Sequence, residues 1–174
     1  QMPEGYFVFT SNVDGQFLKA GFDRRHINEC HGSIHHLQCL AGCTEAIWAA
    51  DDYNPEIDEE HCLLTSDFPK CPHCQGMARP NILMFGDWGW LEQRSAEQNR
   101  RMSDWLRKVE RLLVIEIGAG TNIPTVRLVG ESLPARLIRI NPSEPELGEG
   151  KGISIACGGL EALRGIESAL SRLS

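Results

Sequence analysis

Four of the chain's seven cysteines fall into two close pairs: Cys39 and Cys43 with three residues between them, and Cys71 and Cys74 with two. A tight turn carrying two thiolates is half of a tetrahedral zinc site, and a second such turn completes it. The 27 residues between the pairs are long enough to fold back as a small ribbon. A redox Cys-x-x-Cys would open a helix after a strand. Here Pro72 sits inside the pair and Gly76 follows it, which reads as a knuckle. His35, His36, His61 and Cys62 stand nearby as substitute ligands. Four bound thiolates would leave no open position, so the metal is expected to be structural. An odd cysteine count points to a reducing compartment, and hence to a cytoplasmic location, not to a disulfide framework.

A second group of residues suits a nucleotide. Ser11-Asn12-Val13-Asp14, Gly118-Ala119-Gly120-Thr121 and Asn141 each follow an apolar run of β-forming residues. Asn and Asp can hydrogen-bond ribose hydroxyls and a carboxamide. Glycines let a backbone approach phosphate or ribose closely and present its N–H groups. In an open parallel sheet, ligands bind beyond the carboxyl ends of the strands. Turn chemistry explains the same residues: Asp14-Gly15 is a good turn by itself, and Asn141 can cap a strand end.

The elements that must position these groups follow from the hydrophobic pattern. YFVFT at 6–10 and LLVIEI at 112–117 read as buried parallel strands. ARLIRI at 135–140 and ISIAC at 153–157 read as further strands. Residues 90–111 carry a helical pattern with Met102, Trp105, Leu106 and Val109 on one face. A closing helix over 159–173 places Leu160, Leu163, Ile166, Leu170 and Leu173 on one face. Residues 51–70, acidic and interrupted by Pro55 and Pro69, read as the irregular part of a metal module. Strands followed by helices indicate an α/β fold.

The composition narrows the class. The 174 residues are 41% hydrophobic and 24% charged, which excludes collagen-like and disordered chains. No apolar run approaches the ~20 residues that cross a bilayer, so no membrane partner is expected. Seventeen basic against twenty-four acidic residues give a net charge of −7, which argues against a nucleic-acid partner.

The order of these pieces resembles the sirtuin family of NAD-dependent protein deacylases. TSNVDG at 10–15 is similar to the family's Thr-Gln-Asn-Ile-Asp-Gly, and HGS at 31–33 to its His-Gly-Ser. CPHCQGMARPNILMFGD at 71–87 is similar to Cys-Pro-x-Cys-Gly-Gly, Arg-Pro and Phe-Gly-Glu. IGAGT at 117–121 stands in the place of the Gly-Thr-Ser turn, and Ile140-Asn141 in that of the Ile-Asn pair. The chain departs from the pattern at Ser11 for Gln, at Asp87 for Glu, and by one extra residue in the first cysteine pair. The family's opening Gly-Ala-Gly segment is not among these residues. The chain is therefore expected to be the carboxyl-terminal two thirds of the catalytic domain.

The resemblance implies an open parallel Rossmann-like sheet, lacking its first βα segment, with a small zinc-binding module inserted. Residues 1–34 and 88–174 would form the NAD-binding part, and 35–87 the module with the substrate strand. His31 would be the general base on the NAD ribose, a task suited to a side chain that titrates near neutral pH. Ser11, Asn12, Asp14, Gly118, Ala119, Gly120, Thr121, Asn141 and Cys157 would contact NAD. Ile82, Leu83, Met84, Phe85 and Gly86 would form an exposed strand beside which an acyl-lysine peptide adds, with Leu83–Gly86 contacting it. Trp88 and Trp90 would flank that cleft or pack the module. Cys39, Cys43, Cys71 and Cys74 would hold zinc. The expected activity is NAD-dependent removal of an acyl group from lysine with release of nicotinamide. The alternatives are a sirtuin-like ADP-ribosyltransferase or NAD hydrolase, and a non-enzymatic zinc-bearing interaction domain. The sheet edge left by the opening strand would be a route to homo-oligomers.

Overall fold

The YFVFT run forms strand β1 over Val8–Thr10. A loop leads to helix α1, Gln16–Lys19, and a short 3-10 turn to strand β2, Ile27–Glu29. β1 and β2 pair in parallel, Val8 against Ile27 and Thr10 against Glu29. Both strands therefore end at one edge, where Cys30 N donates to Thr10 O at 3.0 Å. The computed structural model describes residues 4–173, and the chain divides after Lys108 into two compact units.

A tight turn carries the first unit into strand β3, Gly32–Cys39, then β4, Ile47–Ala49. A two-residue hairpin follows, β5 (Ile57–Asp58) against β6 (Leu63–Leu64), where sequence suggested only irregular chain. Strand β7, Ala78–Ile82, closes an antiparallel sheet in the order β4-β3-β7. Its register shifts between Ser33 and Leu37, so β3 bulges where it carries His35 and His36. A bulge re-aims side chains near a site.

Helix α2 spans Gln93–Leu106, so Val109 of the expected face lies outside it. Polar side chains staple it to β2: Ser95 Oγ donates to Glu29 O, and Glu29 N to Gln98 Oε1, both at 3.0 Å. The buried Glu29 carboxylate accepts from Arg94. At the far end of the helix Trp105 rests on Phe7, 5.7 Å between ring centroids, and its Nε1 donates to Glu4 O.

The second unit is a parallel sheet of β8 (Leu113–Ile117), β9 (Arg136–Ile140) and β10 (Gly152–Ile155), in the order β10-β9-β8. Helix α3, Thr125–Ser132, covers the face that carries Val114, Glu116 and Leu137, with its Gly130 set against all three side chains. Helix α4, Gly159–Ser171, follows β10.

Two expectations are corrected here. β1 is half-buried, because within the first unit it pairs on one side only. β8 alternates: Leu113, Ile115 and Ile117 are about half exposed on the face opposite α3, and Glu116 is buried beneath it. The leucine face of α4 is largely open: Leu160, Leu163 and Leu170 are exposed, Ala162 is buried, and Leu173 lies exposed beyond the helix end.

The core is small and unusually polar. Ile27, Leu37, Cys39, Cys71 and Ala78 supply its apolar part in the first unit; Ala119, Leu137, Ile140 and Ala162 do so in the second. Around them lie buried Asn28, Glu29, Ser33, Gln38, Asn81 and Gln98, and in the second unit Glu116, Arg139 and Asn141. Burial of such groups requires hydrogen bonds. Asn81 Nδ2 donates to Gln38 Oε1 and Leu91 O, both at 2.9 Å, while Arg139 holds Glu116 at 2.5 Å and Glu131 at 2.7 Å.

Candidate functional site

The two cysteine pairs meet. Cys39 ends β3, where it pairs with Ala78 of β7, and the 71–76 knuckle precedes β7. The knuckle is closed by Cys71 N to Gly76 O at 2.7 Å and Gln75 N to Cys71 O at 2.9 Å. All four Sγ atoms lie within 4.8 Å of one another, with Cys39 to Cys74 at 3.8 Å and Cys43 to Cys71 at 3.6 Å. Zinc–thiolate bonds of about 2.3 Å place tetrahedral sulfurs about 3.8 Å apart, so the donor set fits zinc. Hydrogen bonding from the Cys43 backbone N–H lowers the Cys39 thiol to about 6, favouring its thiolate. The substitute ligands stay outside. His35 Nε2 lies 3.1 Å from Asp14 O, His61 pairs with Asp58 at 2.8 Å, and Cys62 Sγ turns to Glu59 O. His36 belongs to no metal-competent cluster among the described residues.

The parallel strand ends of the first unit deliver the next group. His31 occupies the turn between β2 and β3 and is half-buried. Its carbonyl accepts from Leu83 N at 2.9 Å. Gly32 has φ +85, and a Cβ there would sit 1.9 Å from Asn81 O. Glycine is thus required directly after His31, and the turn is held between β2 and β7. The 11–15 loop leaves the neighbouring strand end and is laced to β3 by Ile34 N to Val13 O, 2.9 Å, and by the His35–Asp14 contact. Asp14 Oδ1 accepts from Gln16 N at 3.1 Å, as an Asx turn does. Gly15, at φ +68, lies under the His35 ring, which leaves no room for a Cβ. Asn12 is exposed; its backbone N–H donates to Thr10 Oγ1 at 3.1 Å, while its side-chain carboxamide, the Ser11 hydroxyl and the His31 imidazole have no hydrogen-bond partner among the described residues.

Leu83–Gly86 is a turn beyond β7, which ends at Ile82; this corrects the expected strand. The chain turns there because Arg79 binds the Asp87 carboxylate and the Ile82 carbonyl together. The exposure expected of the segment holds: Leu83, Met84 and Phe85 are exposed, Phe85 almost fully, and so is Trp88. Trp90 is half-buried.

In the second unit Gly118, Asn141 and Cys157 follow β8, β9 and β10. Gly118 has φ +69 with open space where a Cβ would stand, so its backbone is accessible to a ligand. Ala119 is buried, and its carbonyl accepts from Arg127 and Asn141. Asn141 Oδ1 accepts from Ser143 N and Glu144 N. Glu144 in turn takes both the N–H of Thr121, at 2.9 Å, and its hydroxyl, at 2.6 Å. Gly120 adjoins the same carboxylate. Cys157 is half-buried, its Sγ turned to Gly158 O. Sequence reasoning missed Glu144 and Arg127, because nothing in a Pro- and Glu-rich loop marks which carboxylate folds back. It also missed Arg79, although the Arg-Pro pair stood inside the quoted motif.

Residues 2–124 match the family model described as the Sir2 family. The chain belongs to the Sir2 family. Among curated relatives it is similar to a probable bifunctional ADP-ribose hydrolase/ADP-ribosyltransferase of Fusarium oxysporum f. sp. cubense, 31% identical over 130 residues, which are 69% of this chain and 22% of that protein. It is 29% identical over 136 residues to the NAD-dependent protein deacetylase hst2-2 of Emericella nidulans, covering 77% of this chain and 34% of that one. It is 27% identical over 141 residues to an NAD-dependent protein deacylase of Aquifex aeolicus, covering 80% and 51%. The chain thus spans between about a fifth and half of these Sir2 relatives. Among solved structures, one described as Sir2 with a p53 peptide and NAD+ matches at TM-score 0.62 and 20% identity, over 97% of this chain and 64% of that one. Another, from work on the mechanism and regulation of Sir2 enzymes, matches at 0.64 and 23%, over 97% and 62%. These establish the Sir2 fold, a mixed α/β arrangement with parallel strands and a four-cysteine module. Among the described residues no helix is long and apolar enough to cross a membrane.

Proposed function

We propose that this chain is the part of an NAD-dependent protein-lysine deacylase that carries its general base and zinc module. One observation carries the reading. Two parallel strands end side by side, and from that edge emerge a fixed turn bearing His31 and a laced loop bearing Asn12 and Asp14. The side chains of Ser11, Asn12 and His31 make no hydrogen bond among the described residues there. Bound NAD would supply an electrophilic ribose carbon as nicotinamide departs. His31 would take the proton from a ribose hydroxyl, as a histidine general base within hydrogen-bond reach can. Asn12 and Asp14 would orient the carboxamide and ribose. In the second unit Gly118, Ala119, Gly120, Thr121, Asn141 and Cys157 would hold the adenosine side, Thr121 and Asn141 after release from their present bonds. The acyl-lysine peptide would lie along Leu83, Met84, Phe85 and Gly86. Zinc would be structural.

By role, residues 1–34 and 88–174 form the NAD-binding part, and 35–87 the module. The reading carries with it a cytoplasmic setting, self-association through open strand edges, and neither nucleic-acid nor membrane partners. A second reading is ADP-ribosyl transfer or NAD hydrolysis; its transfer arm is supported by the Fusarium relative, which is described in part as an ADP-ribosyltransferase.

The test is nicotinamide release from NAD by the longest natural form of the protein, with and without an acetyl-lysine peptide. Peptide-dependent release that falls by on the order of 10²–10⁴ in His31→Ala supports the deacylase. Release that ignores the peptide moves the assignment to the second reading. Absence of release with zinc bound leaves an interaction domain.

A further inference from the structure

The first unit contains a cavity of about 390 Å³ bounded by α1, the 3-10 turn, β2, β3 and α2. Four arginines line it: Arg24 and Arg25 from the turn before β2, and Arg94 and Arg101 two turns apart on one face of α2. In a chain of net charge −7 this is a local concentration of positive charge. The proposed deacylase chemistry uses none of the four.

The acids at the cavity are already committed. Glu29 is held by Arg94, and Glu97 by Arg101 at 2.8 Å. Arg25 turns to Asp23 at 2.6 Å. Arg24 is exposed and makes no ion pair among the described residues, so the cavity keeps a net positive charge. Its wall also holds donors without acceptors. Arg94 Nη1 and Arg101 Nε are buried and unpartnered. Gln98 is only 6% exposed; its Oε1 is taken by Glu29 N, and its Nε2 has no partner among the described residues. Buried donors call for acceptors. The space is at the lower end of the roughly 300–1,000 Å³ that small-molecule sites occupy.

We propose that this cavity binds a phosphate-bearing small molecule. Guanidinium groups present paired N–H donors in a rigid fork that matches phosphate oxygens, and several forks around one tetrahedral anion give affinity and orientation together. Arg24 supplies charge from the 3-10 turn and Arg101 from α2, and Gln98 supplies a neutral donor from the same helix. The site does not depend on His31 being a catalytic base, so either assignment can stand alone.

The probe is inorganic phosphate, titrated calorimetrically into the whole chain at low ionic strength, with citrate in a parallel arm. One phosphate per chain is expected, weakening as salt is raised. Arg24→Ala and Arg101→Gln should each weaken it roughly tenfold, and Arg111→Ala, in the second unit, should not. Arg24 is exposed, so its removal leaves the fold intact, which circular dichroism checks. Saturating NAD should leave phosphate affinity unchanged. No binding at about 10 mM phosphate, equal affinity in Arg24→Ala and Arg101→Gln, binding of citrate alone, or displacement by NAD would each overturn the proposal.

Discussion

The Arg79 guanidinium meets the Asp87 carboxylate across the turn that follows β7, with Nη2 2.7 Å from one oxygen and 2.9 Å from the other. Both side chains are largely buried. Asp87 also accepts from Gly89 N, so one carboxylate sets the whole 83–89 path. Burial would raise the Asp87 carboxyl, but the Arg79 hydrogen bond and charge outweigh it and hold the group below its ordinary 3.8. A depressed folded value means that the stabilisation is complete above the ordinary value and is lost as pH falls through the folded one. Tryptophan emission from Trp88 and Trp90 should therefore shift in acid below about pH 4. Asp87→Asn should abolish that step and cost about 2 kcal/mol at neutral pH.

Gly32 is the residue on which the His31 turn rests. Gly32→Ala would drive a Cβ into Asn81 O and force an L-residue to φ +85. The expected cost is about 3 kcal/mol or more, read as a lowered denaturation midpoint. Ser33→Ala should be milder, since its hydroxyl makes one long bond, 3.3 Å, to His35 N.

The four-thiolate cluster predicts one zinc per chain by elemental analysis. Chelation should melt the module, because a structural site contributes its binding energy to folding. Cys71→Ser and Cys39→Ser should abolish stoichiometric zinc, since both sulfurs are buried inside the cluster. Cys62→Ser should leave the metal in place, as Cys62 lies outside it.

In the second unit, Arg139 joins Glu116 and Glu131 at the centre of the sheet's covered face. Glu116→Gln leaves a buried guanidinium short of charge and should destabilise by about 3 kcal/mol. A double change, Glu116→Leu with Arg139→Met, should cost less than either single one, because both charges leave together. Equilibrium unfolding of the three variants checks this ordering. The Arg139 hydrogen bond lowers the Glu131 carboxyl below its ordinary 4.5. The unit should therefore weaken only as pH drops beneath that value.

How far the sequence reached can be judged from particular residues. Cysteine spacing located the metal cluster because thiolate pairs on turns have few other uses. The strands and α2 were legible from periodicity, though β1 and α2 came out shorter than their apolar patterns. Periodicity reports that one face of an element is apolar, not that another element covers it. That is why β8 read as buried and is half open. The Leu83–Gly86 turn was hidden for a different reason: an apolar run looks like a strand until a distant pair, Arg79 and Asp87, bends it. The Glu144–Thr121 clasp has no local signature at all.

The polar character of the core has a thermal consequence. Among the described residues, eleven buried polar or charged residues stand beside nine buried apolar ones. Exposing apolar surface raises heat capacity on unfolding, while exposing polar surface lowers it. The increment here should be small for a chain of this length. The stability curve should then be broad and shallow, with little loss on cooling and a gradual calorimetric transition on heating. Such a protein changes its stability slowly with temperature and depends more on the integrity of each internal hydrogen bond than on hydrophobic area.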